Sequence, residues 1–404
     1  MMTGLIFYNK MKKSTSILSR RFQRPDAYGA ISMPVYNAVA YEFEDADQMA
    51  DTFCGKTDSP DYSRVTNPTV TFLEKQIREL AGAHEVTALN SGMAAISGAL
   101  VATAEAGKTI VSSKHMFGNT YLLVNNTLSR FGVKSLLLDL AEPETVEREW
   151  PEDACCIFLE TVTNPQLEVA DIRALSRIAH KYNVPLIADT TMVPFTLYAG
   201  KELGIDIEVV SSTKYLTAGA TCLGGLIIDY GNFPEISKRI KGDVLFNLGA
   251  YMTPHAAYMH LLGLETLEIR YGRQESTALY LAKRLSESSN ITAVNYPGLE
   301  SNRFYERIKE LYNGYGAMLT IQLPSEEACK RFINGLQIVR RATNLFDNKS
   351  LAIHPFSTIF GPLPREKRLE MDVDPCSIRL SCGLEDPDDL LEDILQAADK
   401  AINP

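Results

Sequence analysis

Hydrophobic and polar positions change period along this chain. From about residue 80 to 230, short β-branched or apolar runs alternate with stretches of helical period, which predicts a mostly parallel sheet with crossover helices. The runs place strands at 85–89, 109–112, 135–138, 156–159, 185–189 and 207–211, with 225–229 as an antiparallel addition. Helical stretches fill the gaps; 171–182 carries Ile172, Leu175, Ile178 and Ala179 on one stripe. Residues 251–285 read as one long helical connection. Strands at 317–323 and 377–380 then alternate with helices, and 386–402 closes the chain as an amphipathic helix opened by Asp-Pro. The expected fold class is α/β: a large domain over 66–255 with a mostly parallel seven-stranded sheet, a smaller C-terminal α/β domain over 256–404, and an N-terminal arm over 1–65.

Composition narrows the class of partner. With 404 residues, 45% hydrophobic and 22% charged, the chain has the balance of a globular protein with a sizeable core. A formal charge of −10 disfavours nucleic acid, whose binders usually carry a basic face, so small molecules are the expected partners. The seven cysteines, Cys155 and Cys156 adjacent among them, follow neither a disulfide framework nor a zinc spacing; no metal site is expected, and reduced core thiols of a cytoplasmic protein are. The opening MMTGLIFYNKMKKSTS fits neither a signal peptide nor a membrane span and reads as a loose arm, with Met11 a candidate for the true start.

Three short motifs carry candidate chemistry. In SSTKYL (211–216), three hydroxyl residues precede Lys214 at the end of an apolar run, the strand end where open α/β sheets bind ligands. The plainer reading is a solvated lysine in a loop. PLIADTT (185–191) ends a buried-strand pattern on Asp189, 25 residues before Lys214. A carboxylate there can pair with the ring nitrogen of a pyridine cofactor and keep it protonated, or simply cap a turn. LNSGMAAI (89–96) joins a strand to a small-residue helix through Ser91, Gly92 and Met93, so a helix N-terminus offers N–H groups and a positive dipole end to an anion such as phosphate. By itself it is only a plausible strand-to-helix turn. In chain order, glycine turn, aspartate and lysine, the three supply phosphate anchor, ring partner and Schiff-base amine.

The chain resembles the cystathionine γ-synthase-like (Cys/Met metabolism) family of fold-type I pyridoxal-phosphate enzymes, from about Pro34 to the C-terminus. Four further segments carry the likeness: YSRVTNPTV (62–70), ETVTNPQLEVADI (160–172), GLETLEIR (263–270) and SIRLSCGLED (377–386). The resemblance implies a pyridoxal 5'-phosphate cofactor on Lys214, which also shuttles protons. It implies Asp189 on the pyridine nitrogen, and Ser91, Gly92, Met93, Ser211 and Thr213 around the phosphate. Phe117 would stack on the ring. Arg379 would clamp the substrate α-carboxylate through its guanidinium fork, with Asn164 and Asn344 as further substrate-binding residues. Tyr62 and Arg64 on the arm would reach the cofactor phosphate of a neighbouring subunit, Tyr62 counting also among the catalytic residues. A homotetramer built as a dimer of dimers follows from that.

Within such a family the reaction is chosen by pocket residues. In HMFGNTY (115–121), Phe117 stands where many similar lyases have a stacking tyrosine that can protonate a leaving thiol. An acyl-activated homoserine ester releases a stable carboxylate and needs that acid less. TNLFDNKSLAIHPFST (343–358) resembles the O-acetylhomoserine sulfhydrylase pattern, with Asn344 where several relatives place serine. The expected reaction is γ-replacement on O-acetyl-L-homoserine by sulfide or a small thiol, giving homocysteine or methionine and acetate. Methionine or cystathionine γ-lyase and cystathionine γ-synthase are the alternatives, with O-succinylhomoserine sulfhydrylase behind them. Departures from the family pattern are Gly219 for histidine, Thr190 for asparagine, Phe346 for glycine and Ile359-Phe360 for Thr-His. A nucleotide-binding reading of Gly107-Lys108-Thr109 fails because Ala102 occupies the position of the earlier glycine. No G-x-G-x-x-G follows the first strand to suggest a dinucleotide. A catalytically silent homologue acting as an interaction partner is disfavoured by intact Lys214 and Asp189.

Overall fold

Strand positions in the computed structural model follow the apolar runs closely. It describes residues 12–20, 22, 26 and 28–403; the opening residues through Met11 lie outside them. The strands are β1 Glu85–Leu89, β2 Thr109–Ser113, β3 Lys134–Leu138, β4 Ala154–Glu160, β5 Leu186–Asp189, β6 Ile207–Val210 and β7 Gly225–Asp229. Their sheet order is β1-β7-β6-β5-β4-β2-β3. Every residue of β2, β5, β6 and β7 is buried, as continuous apolar runs require when both sheet faces are covered. The expected antiparallel addition is β7, which runs against both β1 and β6.

The chain forms two compact units, Met1–Thr103 with Asp206–Thr266, and Ala104–Ile205 with Leu267–Pro404. In the first, α1 Pro68–Ala81 and α2 Gly92–Thr103 accompany β1, β6 and β7. Asn67 caps α1 by accepting from Thr69 N at 3.0 Å, Pro68 opens it, and Gly82 ends it with φ +64. In the second, β4 pairs in parallel with β5 and β2, and β2 with β3. Helix α3 Ile172–Lys181 buries the predicted stripe Ile172, Leu175, Ile178 and Ala179.

The second unit also holds a five-stranded mixed sheet of β8 Ala293–Asn295, β9 Met318–Gln322, β10 Arg340–Arg341, β11 Leu351–Ile353 and β12 Ser377–Ser381, in the order β10-β11-β12-β9-β8. The sequence pattern predicts β9 and β12 but not the other three. β8 and β10 are short, partly or wholly exposed edge strands without apolar alternation, and exist because β9 and β11 offer them backbone partners. The predicted connection over 251–285 is two helices, α4 Pro254–Glu265 and α5 Leu267–Leu285, interrupted at Thr266. Leu281 and Leu285 of α5 pack with Leu319, Ile321, Ile378, Phe332 and the apolar stripe of α6 Pro387–Ile402. Each such fully buried Leu, Ile or Phe contributes about 1.5–3 kcal/mol. Asp386 caps α6 through Asp388 N at 2.9 Å, as the Asp-Pro opening predicts.

Candidate active site

In the first unit, β6 ends directly before Ser211, and the chain turns so that Lys214 N donates to Ser211 O at 3.1 Å. Thr213 locks the turn against the residue before β7: its N donates to Gly224 O at 3.2 Å, and its hydroxyl accepts from Gly224 N at 2.9 Å. Beneath it, the Ser212 hydroxyl donates to His260 Nε2 at 2.8 Å while His260 Nδ1 donates to Ala256 O at 2.7 Å. Burial pushes His260 down to about 4, so the ring is neutral and its unprotonated nitrogen accepts the serine hydrogen bond. Lys214 is half-buried on this frame.

The turn after β1 lies against the same frame. A Cβ on Gly92 would sit 2.5 Å from Ser211 Cβ, and one on Gly225 would sit 2.0 Å from Ser91 O, so only glycine permits this approach. Ser91 takes the N–H groups of Ala94 (Oγ, 3.1 Å) and Ala95 (O, 3.1 Å). Those of Gly92 and Met93 belong to the first turn of α2, where a helix has no acceptor of its own. Gly92 and Ser211 are thus brought together at a helix N-terminus, with Met93 next along α2 and Thr213 two residues further round the turn. Tyr62 is 44% exposed on the arm, and Arg64 lies 5.6 Å from its ring centre and donates to Phe246 O.

In the second unit, buried Asp189 ends β5 and accepts from Thr191 N at 3.0 Å. Phe117, half-buried, starts a short helix, and its N–H goes to Glu160 Oε1. Asn164 N donates to Glu160 Oε2 at 3.2 Å. Arg379 on β12 donates through Nη1 to Asn164 Oδ1 at 3.0 Å and through Nη2 to Asn344 O at 3.1 Å. Its Nε is buried with no acceptor, and no carboxylate among the described residues pairs with it. Burial pushes the guanidinium down to about 9. Arg379, Asn164 and Asn344 therefore form one cluster with a donor to spare for an incoming carboxylate. Phe346, at the glycine position of the family pattern, does take a left-handed backbone with φ +55. Its fully buried ring, 5.5 Å from that of Tyr271, offsets a cost of about 1–2 kcal/mol.

Sequence reasoning missed Glu160, Ser212 and His260. Glu160 had a signal, because it ends the apolar run CCIFLE just as Asp189 ends LIAD. The Ser212–His260 pair had none, since 48 residues separate its members.

A family model described as Cys/Met metabolism PLP-dependent enzyme matches residues 14–399. The chain belongs to that family. It is 34% identical to an L-methionine gamma-lyase of Fusobacterium nucleatum over 92% of this chain and 94% of that protein. It is 33% identical to the O-acetyl-L-homoserine sulfhydrylase of Leptospira meyeri over 91% and 92%. The solved structure of a protein described as an O-acetylhomoserine (thiol)-lyase of Campylobacter jejuni matches with a TM-score of 0.91 at 31% identity, covering 96% of this chain and all of that one, and carries a pyridoxyl group on a lysine. The resemblance read from the motifs, the fold-type I α/β architecture and the pyridoxal-phosphate cofactor are thereby established for this enzyme. Its residues fit the group: the N–H groups and hydroxyls around Gly92 and Ser211 suit a phosphate, and the orphaned Arg379 Nε suits a substrate carboxylate. No helix among the described residues is long and apolar enough to cross a membrane.

Proposed function

We propose that this enzyme catalyses γ-replacement on O-acetyl-L-homoserine: the Cγ–O bond breaks, sulfide or a small thiol forms the Cγ–S bond, and acetate leaves with the proton balance of a neutral ester and a thiol. Pyridoxal phosphate supplies an electron sink for the charge that develops at Cα and Cβ. Lys214 is the residue that holds it and then carries protons at Cα. Asp189 keeps the ring nitrogen protonated. Ser91, Gly92, Met93, Ser211 and Thr213 hold the phosphate. Arg379, with Asn164 and Asn344, holds the substrate α-carboxylate, and its orphaned Nε supports that role.

The observation that carries the choice of reaction is Phe117. Its N–H is tied down by Glu160 and its ring has no proton to give, which favours a leaving group stable as a carboxylate over a thiolate. The sulfhydrylase of Leptospira meyeri supports the same reading. The similarity to methionine γ-lyases supports a second: elimination from methionine or cystathionine, releasing an oxoacid and ammonia. Tyr62 and Arg64 are assigned to the cofactor phosphate of a neighbouring subunit in a homotetramer. The arm's exposed apolar residues, Tyr28 and Ile31 at 96% each, support an assembly that covers them.

The test is the visible spectrum of the purified enzyme and of Lys214→Ala, followed by assay with O-acetylhomoserine and sulfide. A cofactor band lost or displaced in the variant, with homocysteine formed only when sulfide is present, is the expected result. Oxobutyrate from methionine or cystathionine without added thiol would move the assignment to a lyase.

A further inference from the structure

Two carboxyl groups stand side by side in the second unit. β4 and β5 pair in parallel with Glu160 opposite Asp189, so both side chains leave the same sheet face at adjacent strand ends. Glu160 is buried, and both its oxygens are engaged by backbone: Oε1 accepts from Phe117 N, and Oε2 from Asn164 N at 3.2 Å. Asn164 in turn presents Oδ1 to Arg379 at 3.0 Å. One side chain thus holds the Phe117 backbone on one side and the Arg379 cluster on the other, one strand from Asp189.

We propose that Glu160 is a positioning residue that fixes Phe117 and Asn164 together in register with Asp189. This rests on the roles proposed above for Phe117, Asp189 and Arg379. The protonation of the pair agrees with it. Burial first, and the Asp189 charge second, push the Glu160 carboxyl up to about 8. Asp189 is the charged group facing Glu160. Arg379 lies beyond Asn164, and His115, two residues before Phe117, is engaged by Glu168 and Asp372. Above that pH a second charge appears beside Asp189, and the environment of the cofactor ring changes with it.

Glu160→Gln tests this in the holoenzyme. Glutamine has one acceptor oxygen, so either Phe117 N or Asn164 N loses its partner. The expected result has three parts. The visible dichroism of the cofactor changes. The KM for the amino-acid substrate rises about tenfold through the loosened Asn164–Arg379 contact, with a smaller change in kcat. The spectral pH titration of the wild type has an inflection in the range of the raised Glu160 carboxyl, near 8, and the variant loses it. A merely structural role would lower the melting temperature without removing that inflection. Unchanged dichroism, a KM within about twofold and a retained inflection would overturn the proposal. Should Glu160→Gln fail to fold, Glu160→Asp, whose shorter arm cannot reach both N–H groups but which keeps the carboxyl, is read by the dichroism and the KM. Failure of the underlying assignment is separate: a wild-type cofactor band persisting in Lys214→Ala would remove Lys214 whatever Glu160 does.

Discussion

His115 is held between two carboxylates, with Nδ1 at 2.6 Å from Glu168 and Nε2 at 2.7 Å from Asp372. Burial pushes the imidazolium down, yet the two hydrogen-bonded carboxylates outweigh it and its pKa is raised. Glu168 and Asp372 are both lowered: burial pushes each up, and their hydrogen bonds and charges with His115 and with Lys114 or Arg303 pull them further down. The raised group stabilises the fold below the ordinary histidine range and loses that effect as pH rises through its folded value. The lowered groups stabilise it above the ordinary carboxylate range and lose that effect as pH falls. The clasp is therefore strongest at mildly acidic to neutral pH. His115→Asn is expected to lower the melting temperature most at about pH 6 and progressively less toward pH 9, as followed by dichroism across that range. Nothing in the sequence marks this triad, because 257 residues separate His115 from Asp372. Lys214 and Asp189, by contrast, are legible: Asp189 closes a run of buried strand residues and Lys214 sits in the turn that follows another, where a polar group needs a partner.

Among the elements, α4 bears most directly on the Lys214 turn. A Cβ on Gly263 would lie 1.9 Å from Leu216 O and 2.7 Å from Ala218 N, so the helix and the turn meet backbone to backbone. Gly263→Ala is expected to cost about 1–3 kcal/mol, read as a shift in the urea midpoint, and to weaken cofactor retention during dialysis. An unchanged midpoint would mean that the two segments separate easily. In the second unit, Asp393 on α6 accepts the N–H groups of Gln337, Ile338 and Val339 at 2.8–2.9 Å, which anchors the approach to β10. Helical period alone predicts α6 and its apolar stripe. It does not predict that a buried carboxylate on that helix shapes a neighbouring loop, nor that the connection over 251–285 breaks at Thr266.

At the scale of the whole molecule, the proposed assembly makes a prediction of its own. If Arg64 serves a neighbouring subunit, Arg64→Ala and Lys214→Ala chains, each weak or inactive alone, regain activity when co-expressed. A mixed pair can then place an intact Arg64 beside an intact Lys214. Activity no greater than that of the separate variants would assign Arg64 to its own chain, where it already donates to Phe246 O.

By itself the sequence determined the α/β class, nine strand positions, the Asp-Pro opening of the closing helix and the cofactor family. Each of these rests on local periodicity, or on a motif whose members are close along the chain. Only the tertiary structure decided that β8, β10 and β11 are strands, that Glu160 joins Phe117 to Asn164, that Ser212 rests on a neutral His260, and that Arg379 keeps an unused buried donor. The physical reason is the same in each case. Backbone pairing at an edge, a buried hydrogen bond and a desolvated charge all depend on which distant residue arrives as partner, and that is set by packing rather than by spacing.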